Sequence, residues 1–89
     1  MSFYTLQTEA VSVTTTSQML VDSNGSRIHF SIENRGSANI YIHFSEEDAT
    51  TANGIQVRPG ELYEPFNPGR SQVHAIAQSG SNDCIVTEG

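Results

Sequence analysis

The chain has 89 residues, a formal net charge of −6, no lysine, and arginine only at positions 27, 35, 58 and 70. That length makes one domain, near the small end of what buries a self-sufficient core. Scattered arginines do not supply the clustered cations that release counterions from a polyanion or hold an anionic bilayer, so no nucleic acid and no membrane partner is expected.

Met1-Ser-Phe-Tyr4 has neither a basic n-region nor an apolar h-region, and no run is long enough to span a bilayer; synthesis in a cytoplasm is expected. Residues 1–7 carry large apolar groups without a clean period. They read as a first strand or as an arm that docks elsewhere, which sets segment 1–10 apart from a sandwich domain over 11–89. Residues 9–15 alternate weakly, with Val11 and Val13 on one side, and residues 17–21 continue the strand or form a short second piece. Asp22-Ser-Asn-Gly-Ser26 is a turn, and Asn24-Gly25 reads as a hairpin dipeptide because both residues tolerate positive φ.

The strongest pattern follows. Arg27-Ile-His-Phe-Ser-Ile-Glu-Asn34 alternates apolar and polar, and after a short loop Ile40-Tyr-Ile-His-Phe44 alternates again. Side chains on a strand point to opposite faces with period two. Ile28, Phe30 and Ile32 therefore share one face, as do Ile40, Ile42 and Phe44. The short link predicts a hairpin in which Ile32 faces Ile42 and Phe30 faces Phe44. That register sets Ser31 opposite His43 and Glu33 opposite Tyr41, and it makes His29 and His43 diagonal neighbours on the polar face.

Residues 45–53 break the alternation as an acidic surface loop, with a single helical turn expected at 46–49. Gly54-Ile-Gln-Val57 is a short strand. Arg58-Pro-Gly-Glu61 has Pro and Gly where a type II turn needs them, so Gly60 is expected at positive φ. Residues 62–66 return as an edge strand, because Pro65 cannot donate to a ladder. Asn67-Pro-Gly-Arg70 is a second Pro-Gly turn, residues 72–78 a strand, 79–82 a turn, and 83–87 the last strand. Several short strands closed by turn residues predict an all-β fold, a small antiparallel β-sandwich of jelly-roll or immunoglobulin-like type with about seven to eight strands.

The last two strands carry apolar residues on both faces. Val73, Ala75 and Ala77 lie on one side and Ile76 on the other; Cys84 and Val86 lie on one side and Ile85 on the other. Strands of this kind are covered twice. The facing sheet is one cover, and a second subunit is the expected other. Cys84 has no partner for an internal disulfide, and in its apolar run it reads as a small buried hydrophobe beside the negative Asp83 rather than a reactive thiol.

No residue set announces a reaction. There is no nucleophile elbow, no phosphate-cradling glycine loop, and little room for a cleft between paired carboxylates, so no catalytic residue and no cofactor is expected. Residues 46–48 lack the spacing of a calcium loop. His29 and His43 would need His74 on a neighbouring strand of the same face to complete a metal site, so no metal is expected either. Asn24-Gly-Ser26 fits a glycosylation acceptor but reads as a turn. Tyr4, Tyr41 and Tyr63 could stack on sugars, although a core or interface role suits so few aromatics better.

The order of motifs resembles the small β-sandwich structural proteins of tailed-bacteriophage virions. It runs from a Thr/Ser/Gln-rich strand over 11–19 and a turn at Asn24, through the 27–34 and 40–42 strands, to Asn53-Gly-Ile-Gln-Val-Arg-Pro-Gly-Glu61. It ends on Val73-His-Ala-Ile-Ala and Ile85-Val-Thr-Glu88. The resemblance covers residues 11–88. It implies a non-enzymatic protein on the capsid exterior, commonly a homotrimer, whose partner is the major capsid protein and whose role is decoration or cementing of the shell. Tail or head-fibre accessories and carbohydrate-binding sandwiches are the alternatives. The residues expected at a capsid or subunit interface are Phe3, Tyr4, Leu6, Tyr41, Ile76 and Ile85.

Overall fold

The computed structural model describes residues 6–89. Its strands are β1 (Gln7–Val13), β2 (Gln18–Val21), β3 (Phe30–Asn34), β4 (Ile40–Phe44), β5 (Ile55–Val57), β6 (Leu62–Tyr63), β7 (Val73–Ala77) and β8 (Asn82–Glu88). Among the described residues there is no helix, and the turn expected at 46–49 is not helical. Residues 7–10 are strand and run into Val13 without a break.

Two antiparallel sheets of four form the molecule, with strand orders β1-β8-β3-β6 and β2-β7-β4-β5. The pairings have one logic. Strand β1 pairs with β8, β2 with β7, β3 with β6 and β4 with β5, as if strands β1–β4 and β5–β8 were the two arms of one long hairpin. Rolling that hairpin adds the β3–β8 and β4–β7 ladders and closes two sheets face to face. This is the jelly roll, one of the two sandwich types left open above.

The expected β3–β4 hairpin does not form. Ser31 opposes Thr87 rather than His43, and Tyr41 opposes Gln56 and Ile76 rather than Glu33. The two strands belong to different sheets, so their apolar faces meet across the sandwich instead of side by side. Phe30 and Phe44 do touch, edge to face with ring centroids 5.5 Å apart, but as opposite walls of the core. The link over residues 35–39 is a crossover between sheets, held by two buried asparagines. Asn34 Nδ2 donates to the carbonyls of Ala38 and Val57, and Asn82 Oδ1 accepts from Ser37 N and Ala38 N. Buried backbone polar groups need partners, and these side chains supply them where no ladder can.

Phe30, Ile32, Ile40, Ile42, Val57, Val73, Ala75 and Cys84 are fully buried at the centre of the core. Burying a side chain the size of Ile or Phe stabilises by roughly 1.5–3 kcal/mol. Ile28 was expected to share this face and does not: it is 51% exposed. It precedes β3, and the amides of both Ile28 and His29 turn onto the Gly89 carbonyl, which ends the alternation.

Strand β6 is an edge as expected, but it covers only Leu62–Tyr63 and ends before Pro65, so the strand expected over 62–66 is shorter. Gly60 has φ +82° and Gly69 φ +68°, the values the two Pro-Gly turns call for. The Asn24 turn forms differently from the expected hairpin dipeptide, since neither Asn24 nor Gly25 has positive φ. Arg27 N donates to Asn24 O and Ser26 N to Asn24 Oδ1, an Asx-supported turn inside a longer connection.

Candidate functional site

One end of the sandwich carries three exposed apolar groups, Leu6, Ile28 and Phe66; Met19, Ile55 and Leu62 are exposed on strands β2, β5 and β6. At that end β1 begins, β3 begins, β8 ends and β6 ends, as the registers Gln7↔Glu88, Phe30↔Glu88 and Ile32↔Tyr63 require. Leu6 is 51% exposed, Ile28 likewise 51%, and Phe66 fully so. Ile28, Phe66, Pro68 and Arg70 line an open cavity of about 430 Å³ together with Arg27 and Gly69. A large aromatic held in water forgoes the stabilisation that burial would bring. Phe66 lies in the loop between Pro65 and Pro68, beyond the end of β6.

Arg27 builds this end. Its Nε donates to Glu88 Oε2 at 2.7 Å, and its remaining donors reach the carbonyls of Asp22 (2.8 Å) and Ser71 (2.7 Å) and more weakly that of Gly69 (3.4 Å). The guanidinium is wholly buried, and Asn24 N donates to Arg70 O beside it. The two loops carrying Ile28 and Phe66 are thus tied to each other and to the last strand. Sequence reasoning counted Arg27 among scattered cations because its partners are mostly backbone carbonyls, which leave no mark in a sequence.

The six residues expected at an interface do not form one patch. Phe3 and Tyr4 lie outside the described residues. Leu6 stands at the apolar end. Tyr41 and Ile76 are directly opposed on the outer face of the second sheet, both half-buried. Ile85 lies on the outer face of the first sheet between Ala10 and Glu33, on the far side of the molecule from Tyr41. A second open cavity, of about 480 Å³, sits there beside Ala10, Ser12, Arg35 and Asp83.

Both out-of-phase isoleucines lie on central strands, β7 and β8, so neighbouring strands flank them on each side. The second sheet gains a further cover from its own chain. The link between β4 and β5 reaches back to the opposite edge, where Ala49 N donates to Ser17 Oγ at 2.9 Å. Gly54 lies against Tyr41, where an added methyl would come within 2.6 Å of its Cβ. Since the core fills the space between the sheets, this crossing runs over the outside of β7 and β4. Ala49 is buried there, outside the intersheet cluster.

The histidines are arranged differently from the expectation. His29 sits at the apolar end, 3.7 Å from Glu64, and is not a neighbour of His43. His43 instead opposes His74, and Met19 opposes His74 from the other side. Among the described residues no three His, Cys, Asp or Glu side chains come together as a metal site. Cys84 is buried, and burial followed by the charge of Asp83 pushes its thiol up from 9.0 to about 11, against a smaller opposing effect of a backbone hydrogen bond from Arg35. A thiol so shifted is almost wholly protonated at neutral pH and is a poor nucleophile.

Comparison with protein families, curated proteins and solved structures finds no match.

Proposed function

We propose that this chain is a non-enzymatic virion structural protein that binds the outer surface of a capsid shell and stabilises it, as a homotrimer and with the major capsid protein as partner. The observation that carries the reading is the apolar end: Ile28 and Phe66 stand exposed on loops tied together by Arg27, and Leu6 is exposed at the same end just ahead of β1. A binding anchor costs least when its loops are ordered before contact. The jelly roll is an architecture of viral capsid and lectin domains, which supports the reading as fold-level analogy. The resemblance of motif order supplies the bacteriophage setting and the trimer. Stabilisation then follows from mass action, since a ligand that binds only the assembled shell shifts the equilibrium toward it.

A test compares particles with and without the protein. The reading expects density on the capsid exterior and loss of heat and osmotic-shock resistance on deletion. Density on the tail, with resistance unchanged, favours the accessory-protein alternative and rejects cementing.

The second reading is carbohydrate binding. Phe66 beside Asn67 and Arg70 in an open cavity offers an aromatic platform flanked by hydrogen-bonding groups. Glycan-array hits that vanish in Phe66→Ala would favour it.

A further inference from the structure

The row Met19, His74, His43 crosses three neighbouring strands of the second sheet on its outer face. Directly opposed side chains on antiparallel strands have Cβ atoms about 5 Å apart. Two imidazoles so placed can reach one ion at nitrogen–metal distances of about 2 Å.

His74 is the informative member. Only 9% of it is exposed, and its Nδ1 is fully shielded from solvent with no hydrogen-bond partner among the described residues. Its other nitrogen is engaged: Nε2 lies 3.0 Å from Gln72 Oε1. The orientation of that amide is set by its own nitrogen, which donates to Asp22 Oδ1 at 3.2 Å. Gln72 therefore presents an acceptor, so Nε2 carries the hydrogen and Nδ1 carries a bare lone pair. A buried imidazole whose N–H is anchored to a carbonyl and whose other nitrogen is free is how a metal-ligating histidine is held. Left alone, that lone pair costs the desolvation of an unpaired polar atom.

We propose that His74 Nδ1 and His43 bind a single soft metal ion, with the Met19 thioether as third donor, and that the ion is Cu(I). Donor chemistry makes the choice. Among the described residues no third His, Cys, Asp or Glu side chain stands beside the pair, so the site lacks the set that structural zinc takes, whereas thioether and imidazole donors suit Cu(I). The loop over residues 45–54 crosses this face, where His74 is buried and the Met19 side chain stays 47% exposed and open to an incoming ion. Gln72 and Asp22 act as positioning residues, fixing the imidazole through Nε2.

The test titrates tag-free, full-length protein with Cu(I) under anaerobic reducing conditions, in competition with a colorimetric Cu(I) chelator. The wild type is expected to take one ion per chain. His43→Ala and His74→Ala should abolish this uptake, and Gln72→Leu should weaken it about tenfold or more, the scale on which outer partners act. Cys84→Ser and His29→Ala should leave it unchanged. Because the His74 variants alter a buried position, imidazole nitrogen NMR of the wild type provides a second readout: Cu(I) should move the His74 Nδ1 resonance and leave His29 unmoved. No uptake by the wild type, uptake that survives loss of both histidines, or uptake lost in Cys84→Ser overturns the proposal. None of these outcomes decides capsid binding, which rests on Ile28 and Phe66, neither of which is among the proposed donors.

Discussion

Arg27 Nε and Glu88 Oε2 lie 2.7 Å apart, with the arginine side chain fully buried and the glutamate about one-fifth exposed. The pair closes the apolar end by fixing the last strand to two loops. Removing one member of a buried pair leaves the other charge uncompensated, typically at about 3–5 kcal/mol. Arg27→Ala should therefore destabilise by about 3 kcal/mol or more, since the Asp22 and Ser71 carbonyls lose their donor as well. Glu88→Gln also leaves the buried guanidinium without its counter-charge, but it keeps a hydrogen-bond acceptor and the Asp22 and Ser71 carbonyls keep their donor, so it should cost less than Arg27→Ala. Chemical denaturation of both variants checks the order; equal losses would contradict it.

The crossover at residues 35–39 gives a second prediction. Asn82 is buried and accepts from two amides through Oδ1 while donating to Ser79 O through Nδ2. Asn82→Ala leaves these groups unpaired and should cost about 2–3 kcal/mol. Gly36→Ala should be comparably damaging, because its new methyl would overlap the Asn82 side chain. Denaturation midpoints of the two variants should fall together, and a neutral Gly36→Ala would contradict the packing described.

Glycine positions separate strain from packing. A methyl at Gly60 meets nothing within 4 Å, so its cost is conformational alone, set by φ +82°. Gly60→Ala should destabilise by about 1 kcal/mol. Gly25→Ala, equally open but without positive φ, should be neutral or slightly stabilising. Thermal melts of the pair read the difference.

The raised Cys84 thiol makes stability depend on alkaline pH. Between its ordinary 9.0 and about 11 the unfolded chain releases the proton that the folded chain still holds. Stability is thus full below pH 9 and falls as pH rises through this window, by about 2–3 kcal/mol in total. Cys84→Ala should lack that part of the slope. Urea titrations at intervals from pH 8 to about 11 compare the two slopes, and parallel curves would contradict the assigned shift.

Period-two alternation made the strands legible, and it named the core faces of Phe30 and Ile32 and of Ile40 and Ile42 correctly. It did not reveal which strands pair, because alternation is a property of one strand and is the same whether its neighbour lies beside it or across the core. The short link at 35–39 argued for a hairpin, and only the buried Asn34 and Asn82, seen in place, explain why it can cross between sheets. The His43–His74 row was hidden for the same reason: it depends on β7 lying beside β4. Phe66 had no pattern to mark it, since it lies beyond an edge strand only two residues long.

The proposed capsid binding through the apolar end is tested most directly by cosedimentation of the purified protein with shells of the virion to which the proposal assigns it, stripped of the protein beforehand. The account predicts saturable binding to the shell exterior by the wild type, and its loss in a folded Ile28→Asp, Phe66→Asp double variant. Absence of wild-type binding, or binding undiminished in the double variant, would contradict it.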